Sequence, residues 1–226
     1  MVSEIQRIDL GFVNCYLIKT DSGFVLIDTG ISRSRGRLES ALSSAGCKPG
    51  DLKLILLTHG DIDHSGNCAY LKRKYGAPIA MSRFDSGMVE NGDMNPKREV
   101  RSAAMRVLHF FMWLSGISKK MIGGFERFRP DLYLDDGQSL ASYGLDAIVL
   151  RLPGHTQGSV GVHFHTGDLV CGDTLQNGGK PGTTMIVQNN ADLEASLRRL
   201  SKLTVRTVYP GHGRPFPWVQ FAARRG

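Results

Sequence analysis

The chain has 226 residues, 28 of them Lys or Arg and 21 Asp or Glu, so its formal net charge is +7 with histidines neutral. Hydrophobic residues at 41% and charged residues at 22% exclude a disordered chain and a long coiled coil. No apolar run reaches the ~20 residues of a membrane-spanning helix, and the N-terminus lacks a secretory-signal pattern. The four cysteines form no C-x-x-C pair, which predicts free thiols in a reducing compartment. We therefore expect a cytoplasmic protein.

The first half of the chain predicts alternating strands and helices. Apolar runs at Phe12 to Thr20 and Phe24 to Asp28 predict a hairpin, because Asp21-Ser22-Gly23 between them favours a turn. The run that follows, Leu52 to Leu57, is the kind of strand that is buried on both faces. The other predicted elements are helices at Arg33 to Ala45 and Ser65 to Tyr75 and a strand at Pro78 to Met81.

The second half repeats part of this order. Tyr16 to Thr29 and Val162 to Thr174 each predict a hairpin that ends in Asp-Thr, which suggests two related halves. Without a Pro-, Gly- or Ser-rich linker between the halves, we predict one domain over residues 1–226, an α/β sandwich of sheets covered by helices. The predicted elements are strands at Gln138 to Ala141, Leu145 to Leu152, Ser159 to His165, Leu169 to Cys171 and Arg206 to Tyr209, and a helix at Asp192 to Leu203 with Asp192 as N-cap.

A basic insertion at about residues 83–129 lies between the two halves. Residues 95–129 hold eight Lys or Arg against two Glu, a local net charge of +6, so the other residues carry only +1. Apolar residues from Val100 to Leu114 recur at helical spacing. Three interpretations stay open: a helix packed on the domain or on a second subunit, a lid over a site, and a membrane-surface helix.

Seven potential metal donors follow the ends of predicted strands. Loops in this position are held by a rigid sheet, which is where sites are usually built. Imidazole nitrogens and carboxylate oxygens bind zinc, and they suit iron and manganese as well. Seven donors are enough for two metals that share one carboxylate. The donors are His59, Asp61, Asp63, His64, His155, Asp173 and His212.

Five motifs in order resemble the metallo-β-lactamase superfamily over nearly the whole chain. They are Leu26 to Gly30, Thr58 to Asn67, Pro153 to Ser159, Gly172 to Thr174 and Pro210 to Gly213. The resemblance implies an αββα sandwich, with two mixed sheets flanked by helices and a binuclear metal site at one edge. It assigns His59, the residue at 61 and His155 to a first metal, Asp63, His64 and His212 to a second, and Asp173 to both. Asp28 and Thr58 would orient these ligands.

Position 61 departs from the family pattern H-x-H-x-D-H, because it holds Asp where the family has His. A carboxylate is a harder donor than imidazole and adds a negative charge to the first metal's ligands. We therefore expect two divalent ions, with zinc as the leading candidate and a shift toward iron or manganese caused by Asp61.

These features predict a metal-dependent hydrolase that uses a hydroxide activated by two metals, with Asp63 passing a proton to the leaving group. The substrate would be a small ester, thioester, lactone or phosphoester. Only 14 residues follow His212, which disfavours the helical region that grips glutathione in hydroxyacylglutathione hydrolases. The alternative is a di-iron or mono-iron redox enzyme of the same superfamily, working with a separate electron donor.

The basic insertion supplies the candidate substrate contacts Arg98, Arg101 and Phe111. Cationic groups there would suit a small anionic substrate. The same segment, residues 95–129, could pair two copies of the chain as a homodimer. We do not expect nucleic acid as a partner, because aromatic residues are not interleaved with the basic ones at regular spacing. A membrane is not expected either, since a membrane-surface helix is the least favoured of the three interpretations of the insertion.

Overall fold

The first half of the chain builds a six-stranded sheet. The computed structural model describes residues 4–93, 98–101 and 124–224. The first seven strands are β1 (Ile5–Asp9), β2 (Asn14–Thr20), β3 (Gly23–Ile27), β4 (Leu52–Leu56), β5 (Ile79–Met81), β6 (Glu99–Val100) and β7 (Leu132–Tyr133). All but β6 join this sheet, in the order β1-β2-β3-β4-β5-β7, with β1 to β3 antiparallel and the later pairs parallel. Because β4 is interior, its sequence is almost wholly apolar.

The second half builds a five-stranded sheet and two short ribbons. The remaining strands are β8 (Ala147–Arg151), β9 (Val160–Phe164), β10 (Asp168–Gly172), β11 (Leu175–Asn177), β12 (Pro181–Thr183), β13 (Ile186–Val187), β14 (Thr207–Pro210) and β15 (Phe216–Pro217). The sheet order is β15-β14-β10-β9-β8, whereas β11 pairs with β12 and β13 pairs with β6. The β13–β6 ribbon joins residues 99–100 of the basic insertion to the second half of the chain.

Six α-helices cover the sheets within the described residues. They are α1 (Arg35–Ser44), α2 (Ile62–Ser65), α3 (Cys68–Tyr75), α4 (Arg83–Asn91), α5 (Asn190–Leu200) and α6 (Trp218–Ala222). Gly76 ends α3 in the left-handed conformation (φ 70°), which glycine adopts at little cost. Asn189 caps α5, since its side chain accepts hydrogen bonds from the Ala191 and Asp192 amides.

Three separate apolar clusters divide the molecule into four layers. Successive residues of β3 alternate between clusters: Leu26 packs with α1 and α3, whereas Ile27 packs against the second sheet. A third cluster joins the outer face of the second sheet to α5 and α6 through Leu169, Leu193 and Phe221. This helix–sheet–sheet–helix order confirms the predicted αββα sandwich.

The two sheets share a local arrangement of strands, as the repeated hairpin pattern in the sequence predicted. In the first, the β2–β3 hairpin is followed by β4 parallel to β3. In the second, the β9–β10 hairpin is followed by β14 parallel to β10. In each half, a connection that contains a helix therefore leads from the second strand of the hairpin to a strand that pairs in parallel with it. The described residues hold no helix long and apolar enough to cross a membrane.

Several predicted elements were wrong in detail. Gln138 to Ala141 is not a strand, because only Ser139 forms an isolated bridge before a 3-10 turn begins. The helix predicted at Ser65 to Tyr75 is split into α2 and α3. Asp192 is inside α5, whose N-cap is Asn189. Val100 lies in strand β6 rather than in the predicted helix, and residues 102–114 of that helix lie outside the described residues.

Candidate metal centre

Four strand ends bring the predicted donors to one edge of the paired sheets. His59, Asp61, Asp63 and His64 follow β4, the last two in α2. His155 follows β8, Asp173 follows β10 and His212 follows β14. The structure thus gathers all seven predicted donors, from His59 to His212, into one cluster.

Each histidine of the cluster is held through its Nδ1 atom. Nδ1 of His64 lies 2.8 Å from Asp28 Oδ2, and Nδ1 of His59 lies 3.0 Å from Thr58 Oγ1. Nδ1 of His155 lies 2.7 Å from the Ile186 carbonyl, and Nδ1 of His212 lies 2.7 Å from the Phe12 carbonyl. A neutral ring that donates from Nδ1 keeps its lone pair on Nε2, so four Nε2 lone pairs face the centre.

The second position is formed by Asp63, His64 and His212, whose donor atoms lie within 4.8 Å of one another. Asp63 Oδ2 is 3.4 Å from His212 Nε2 and 3.8 Å from His64 Nε2. Asp173 Oδ1 is 3.3 Å from His64 Nε2, while its Oδ2 is 3.1 Å from His212 Nε2. This carboxylate therefore adjoins the donors of the second position through both oxygens.

The first position is formed by His59, His155 and Asp173, again within 4.8 Å of one another. Asp173 Oδ2 lies 3.7 Å from His155 Nε2, so the same carboxylate borders both positions. Asp61 Oδ2 lies 3.1 Å from His155 Nε2 and 3.4 Å from His59 Nε2. The carboxylate at position 61 therefore points an oxygen where the resemblance expects a donor.

The donor set fits a pair of metal ions. A tetrahedral zinc shell with bonds of about 2.0–2.2 Å places neighbouring donors about 3.3–3.6 Å apart, close to the separations above. His59 Nε2, His64 Nε2 and Asp173 Oδ1 are fully buried and have no hydrogen-bond partner. Buried polar atoms without hydrogen-bond partners are costly, so three of them in one cluster fit a site that binds a cation.

The charges of the cluster also favour a cation. Burial raises the pKa of Asp173, but the neighbouring His212 and His64 outweigh it and hold that pKa well below its usual range. Burial lowers the pKa of His212, but Asp173 and Asp63 outweigh it and raise that pKa to about 10. Neighbouring carboxylates also raise the pKa of His64 and His155 against the effect of burial, so the cluster favours bound positive charge, which divalent ions would supply.

Asp28 and Thr58 join the loop after β3 to the loop that carries His59. Asp28 Oδ1 accepts from the Thr58 amide at 2.8 Å, and Oδ2 accepts from Thr58 Oγ1 at 2.8 Å. Asp28 is the one described non-glycine residue with positive φ (60°). That strained backbone is tolerated because the carboxylate satisfies buried donors on both the His59 loop and His64.

Asp85 is a buried residue of this region that sequence reasoning missed. It lies in the first turn of α4 and is 2% exposed. Its Oδ2 accepts from the Gly60 amide at 3.0 Å and from Thr156 Oγ1 at 2.7 Å, while Oδ1 accepts from the Gly158 amide at 2.8 Å. Asp85 thereby ties the His59 loop to the His155 loop. An acid in the first turn of a helix is usual, so the pattern alone does not distinguish it.

The candidate substrate contacts fall in different places. Arg98 forms a two-pronged ion pair with Asp61, with Nη–Oδ distances of 2.5 Å. Arg101 is exposed, and its guanidinium lies 3.5 Å from Thr183 Oγ1. Phe111 lies outside the described residues, as does most of the 95–129 segment predicted to pair two copies.

Comparison with known proteins gives consistent relatives. YobT of Bacillus subtilis is 28% identical over 166 residues, 73% of this chain and 62% of its own length. Hydroxyacylglutathione hydrolase GloC of Haemophilus influenzae is 28% identical over 74% of this chain and 68% of its own length. The crystal structure of TTHA1623 in a di-iron-bound form is 27% identical, with a TM-score of 0.64 over 92% of this chain and 91% of that one.

Some relatives are longer than the matched region. The match covers 62% of YobT and 35% of the hydroxyacylglutathione hydrolase of Aeromonas salmonicida, less than two thirds of either. The sequence profile of the metallo-beta-lactamase superfamily, however, matches residues 8–212, from β1 to the last donor His212. Sequence profile, αββα layering and donor arrangement therefore agree that this chain belongs to the metallo-beta-lactamase superfamily.

Proposed function

We propose that this chain is a metal-dependent hydrolase with two divalent ions, and that its substrate is a small thioester. The observation that carries the proposal is the convergence of four imidazole Nε2 atoms and the Asp63 and Asp173 carboxylates, in which three buried donor atoms have no hydrogen-bond partner. Zinc is the leading metal, and the oxygen donors suit iron or manganese as well.

The residues divide between the two metals as their positions suggest. His59, His155 and Asp173 would hold the first ion, with Asp61 beside them, and Asp63, His64 and His212 would hold the second. When bound, the two ions would lower the pKa of the attacking water and polarise the scissile carbonyl. The protein itself contributes fixed Nε2 directions, since each ring is anchored from behind through Nδ1.

Asp63 is the residue that we propose moves a proton to the leaving group. Its side chain is 16% exposed, against 0% for His64, so it reaches the solvent side of the cluster. It lies in the first turn of α2, and its Oδ2 faces His212 Nε2 at 3.4 Å. A carboxylate in this place can accept a proton from water and return it to a departing thiolate.

The thioester is supported by the names of two relatives. GloC and the Aeromonas salmonicida protein are both hydroxyacylglutathione hydrolases, and the second is 37% identical over 91 residues. A thiolate is a better leaving group than an alkoxide, so a thioester needs less assistance from an acid.

We place the enzyme in the cytoplasm, because all four cysteines are buried and unpaired.

The test combines metal analysis with a matched pair of variants. Protein purified without added metal should contain about two equivalents of transition metal. It should also hydrolyse a generic thioester faster than an ester, a lactone or a phosphodiester. His155→Ala should lose both metal and activity, whereas His165→Ala, an exposed histidine outside the cluster, should keep both. Wild-type protein that stays metal-free after supplementation with Zn, Fe and Mn would refute the proposal.

Iron chemistry is the second candidate, favoured by the di-iron form of TTHA1623 and by Asp61. The same preparation distinguishes the two functions. Iron as the main metal, together with a visible absorption band that changes on reduction, would support a redox enzyme. A colourless zinc protein with thioesterase activity would support the hydrolase.

A further inference from the structure

We infer that Arg98 and Asp61 act together as a neutral replacement for the histidine that the family has at position 61. This inference rests on the proposed function, because it concerns the first metal position. Arg98 is a positioning residue for that metal, acting through the Asp61 carboxylate rather than on the substrate.

The ion pair is built into the centre. Arg98 Nη1 and Nη2 approach Asp61 Oδ2 and Oδ1, each at 2.5 Å, and the two side chains are 11% and 16% exposed. Paired oxygens and a planar fork form the strongest class of protein ion pair, which fixes orientation as well as charge. The pair therefore determines where the free lone pairs of Asp61 Oδ2 point.

The guanidinium also faces the first metal position itself. Arg98 Nη1 lies 3.4 Å from His155 Nε2, and Asp61 Oδ2 lies 3.1 Å from the same atom. A guanidinium is always protonated in proteins, so Arg98 carries a full positive charge beside Asp61. A fixed positive charge this close changes the affinity of the position for any cation.

The backbone explains why Arg98 is held so closely. Arg98 directly precedes β6, which pairs with β13 in the register Val100 to Ile186. The Ile186 carbonyl accepts the hydrogen bond from His155 Nδ1 at 2.7 Å. One ribbon thus places both the arginine and a metal-facing histidine, so the basic insertion is physically joined to the centre at this point.

Charge compensation has a consequence for position 61. Imidazole is neutral, whereas a carboxylate alone would add one negative charge to the first metal's ligands. With Arg98 paired to it, Asp61 contributes an oxygen donor at no net charge, so the shift toward iron or manganese predicted from Asp61 alone is reduced. Restoring histidine at position 61 would then leave Arg98 as a buried charge without a partner.

The test is a double-mutant cycle with Asp61→His, Arg98→Leu and the combined variant. Leucine brings no donor atom. Metal affinity is measured by competition with a chromophoric chelator for Zn and Mn, and the metal-free proteins are compared by thermal unfolding. Asp61→His alone should weaken the first position about 10–100-fold, whereas the double variant should return to within a few-fold of wild type. Arg98→Leu alone should raise the Mn-to-Zn affinity ratio and lower the melting temperature of the metal-free protein.

Arg129→Met is the matched control, because it removes one positive charge from the same insertion at an 88% exposed side chain. It should leave both metal affinities unchanged. If wild type binds two metals and the double variant is as weak as Asp61→His, the compensation is refuted while the proposed function stands. If wild type binds no metal, both fail together.

Discussion

Replacement of Gly211 by alanine should displace the shared carboxylate Asp173 and thereby empty the metal centre. Gly211 lies directly before the donor His212 and is buried. A Cβ atom built on it would be 2.2 Å from Asp173 Oδ1 and 2.7 Å from His64 Cε1. Its φ is outside the left-handed range, so alanine meets no backbone strain and the effect is purely one of contact.

The displacement follows from the structure. The Gly211 amide donates to the Gly172 carbonyl at 2.7 Å, and the Gly211 carbonyl accepts from the Asn14 amide at 2.8 Å, so the backbone is fastened on both sides. The carboxylate must therefore move, by 3.4 − 2.2 = 1.2 Å to reach an ordinary contact. Overpacking of this kind costs about 1–3 kcal/mol, which lowers the melting temperature by about 2–12 °C in a chain of this size.

Metal analysis and thermal unfolding together test this prediction. Gly211→Ala should retain far less metal than wild type, since a disturbed ligand costs about 10–100-fold in affinity. Gly182→Ala is the control, because a Cβ there meets nothing within 4 Å. Equal metal content and an equal melting temperature in Gly211→Ala and Gly182→Ala would refute the prediction that a Cβ atom at position 211 displaces Asp173.

Two further variants test the residues behind the donors. Asp28→Asn should weaken metal binding about 10–100-fold, because its single amide oxygen cannot accept from both the Thr58 backbone amide and His64 Nδ1. Unchanged affinity in a chelator competition would contradict this. Asp85→Asn should destabilise the fold by about 1–3 kcal/mol, because either amide orientation turns a donor toward a Gly60 or Gly158 amide. Thermal unfolding of the metal-free protein measures this loss, and an unaltered melting temperature would show that Asp85 does not stabilise the fold.

The elements that could be predicted from sequence are those whose burial is uniform. Leu52 to Leu57 contains β4 because its residues are buried on both faces, and the hairpin at Asp21 to Gly23 follows from turn chemistry. The short strands β11, β12 and β13 have no such pattern, since they are two or three residues long. Their pairing depends on contacts between distant segments, which periodicity does not report.

The donors could be predicted because they lie in the loops that follow strand ends. Of the residues behind them, Asp28 and Thr58 were expected from the resemblance, whereas Asp85 and the pairing of Arg98 with Asp61 were not. Asp85 and Arg98 both lie in the insertion at about residues 83–129, whose charge and spacing left several interpretations open, and both side chains are largely buried. Whether a charged residue is solvated or buried depends on the partner that it meets, and here those partners are 25 to 73 positions away in sequence.

Charge balance explains why position 61 needs a distant partner. Two divalent ions against the carboxylates of Asp28, Asp63 and Asp173 leave one positive charge at the centre, and Asp61 alone would cancel it. Arg98, 37 positions later in sequence, restores it through the ion pair. That remaining charge is what stabilises negative charge developing on a carbonyl oxygen. On the proposal made above, a carboxylate at position 61 is therefore compatible with hydrolysis because the basic insertion supplies a cation to the centre.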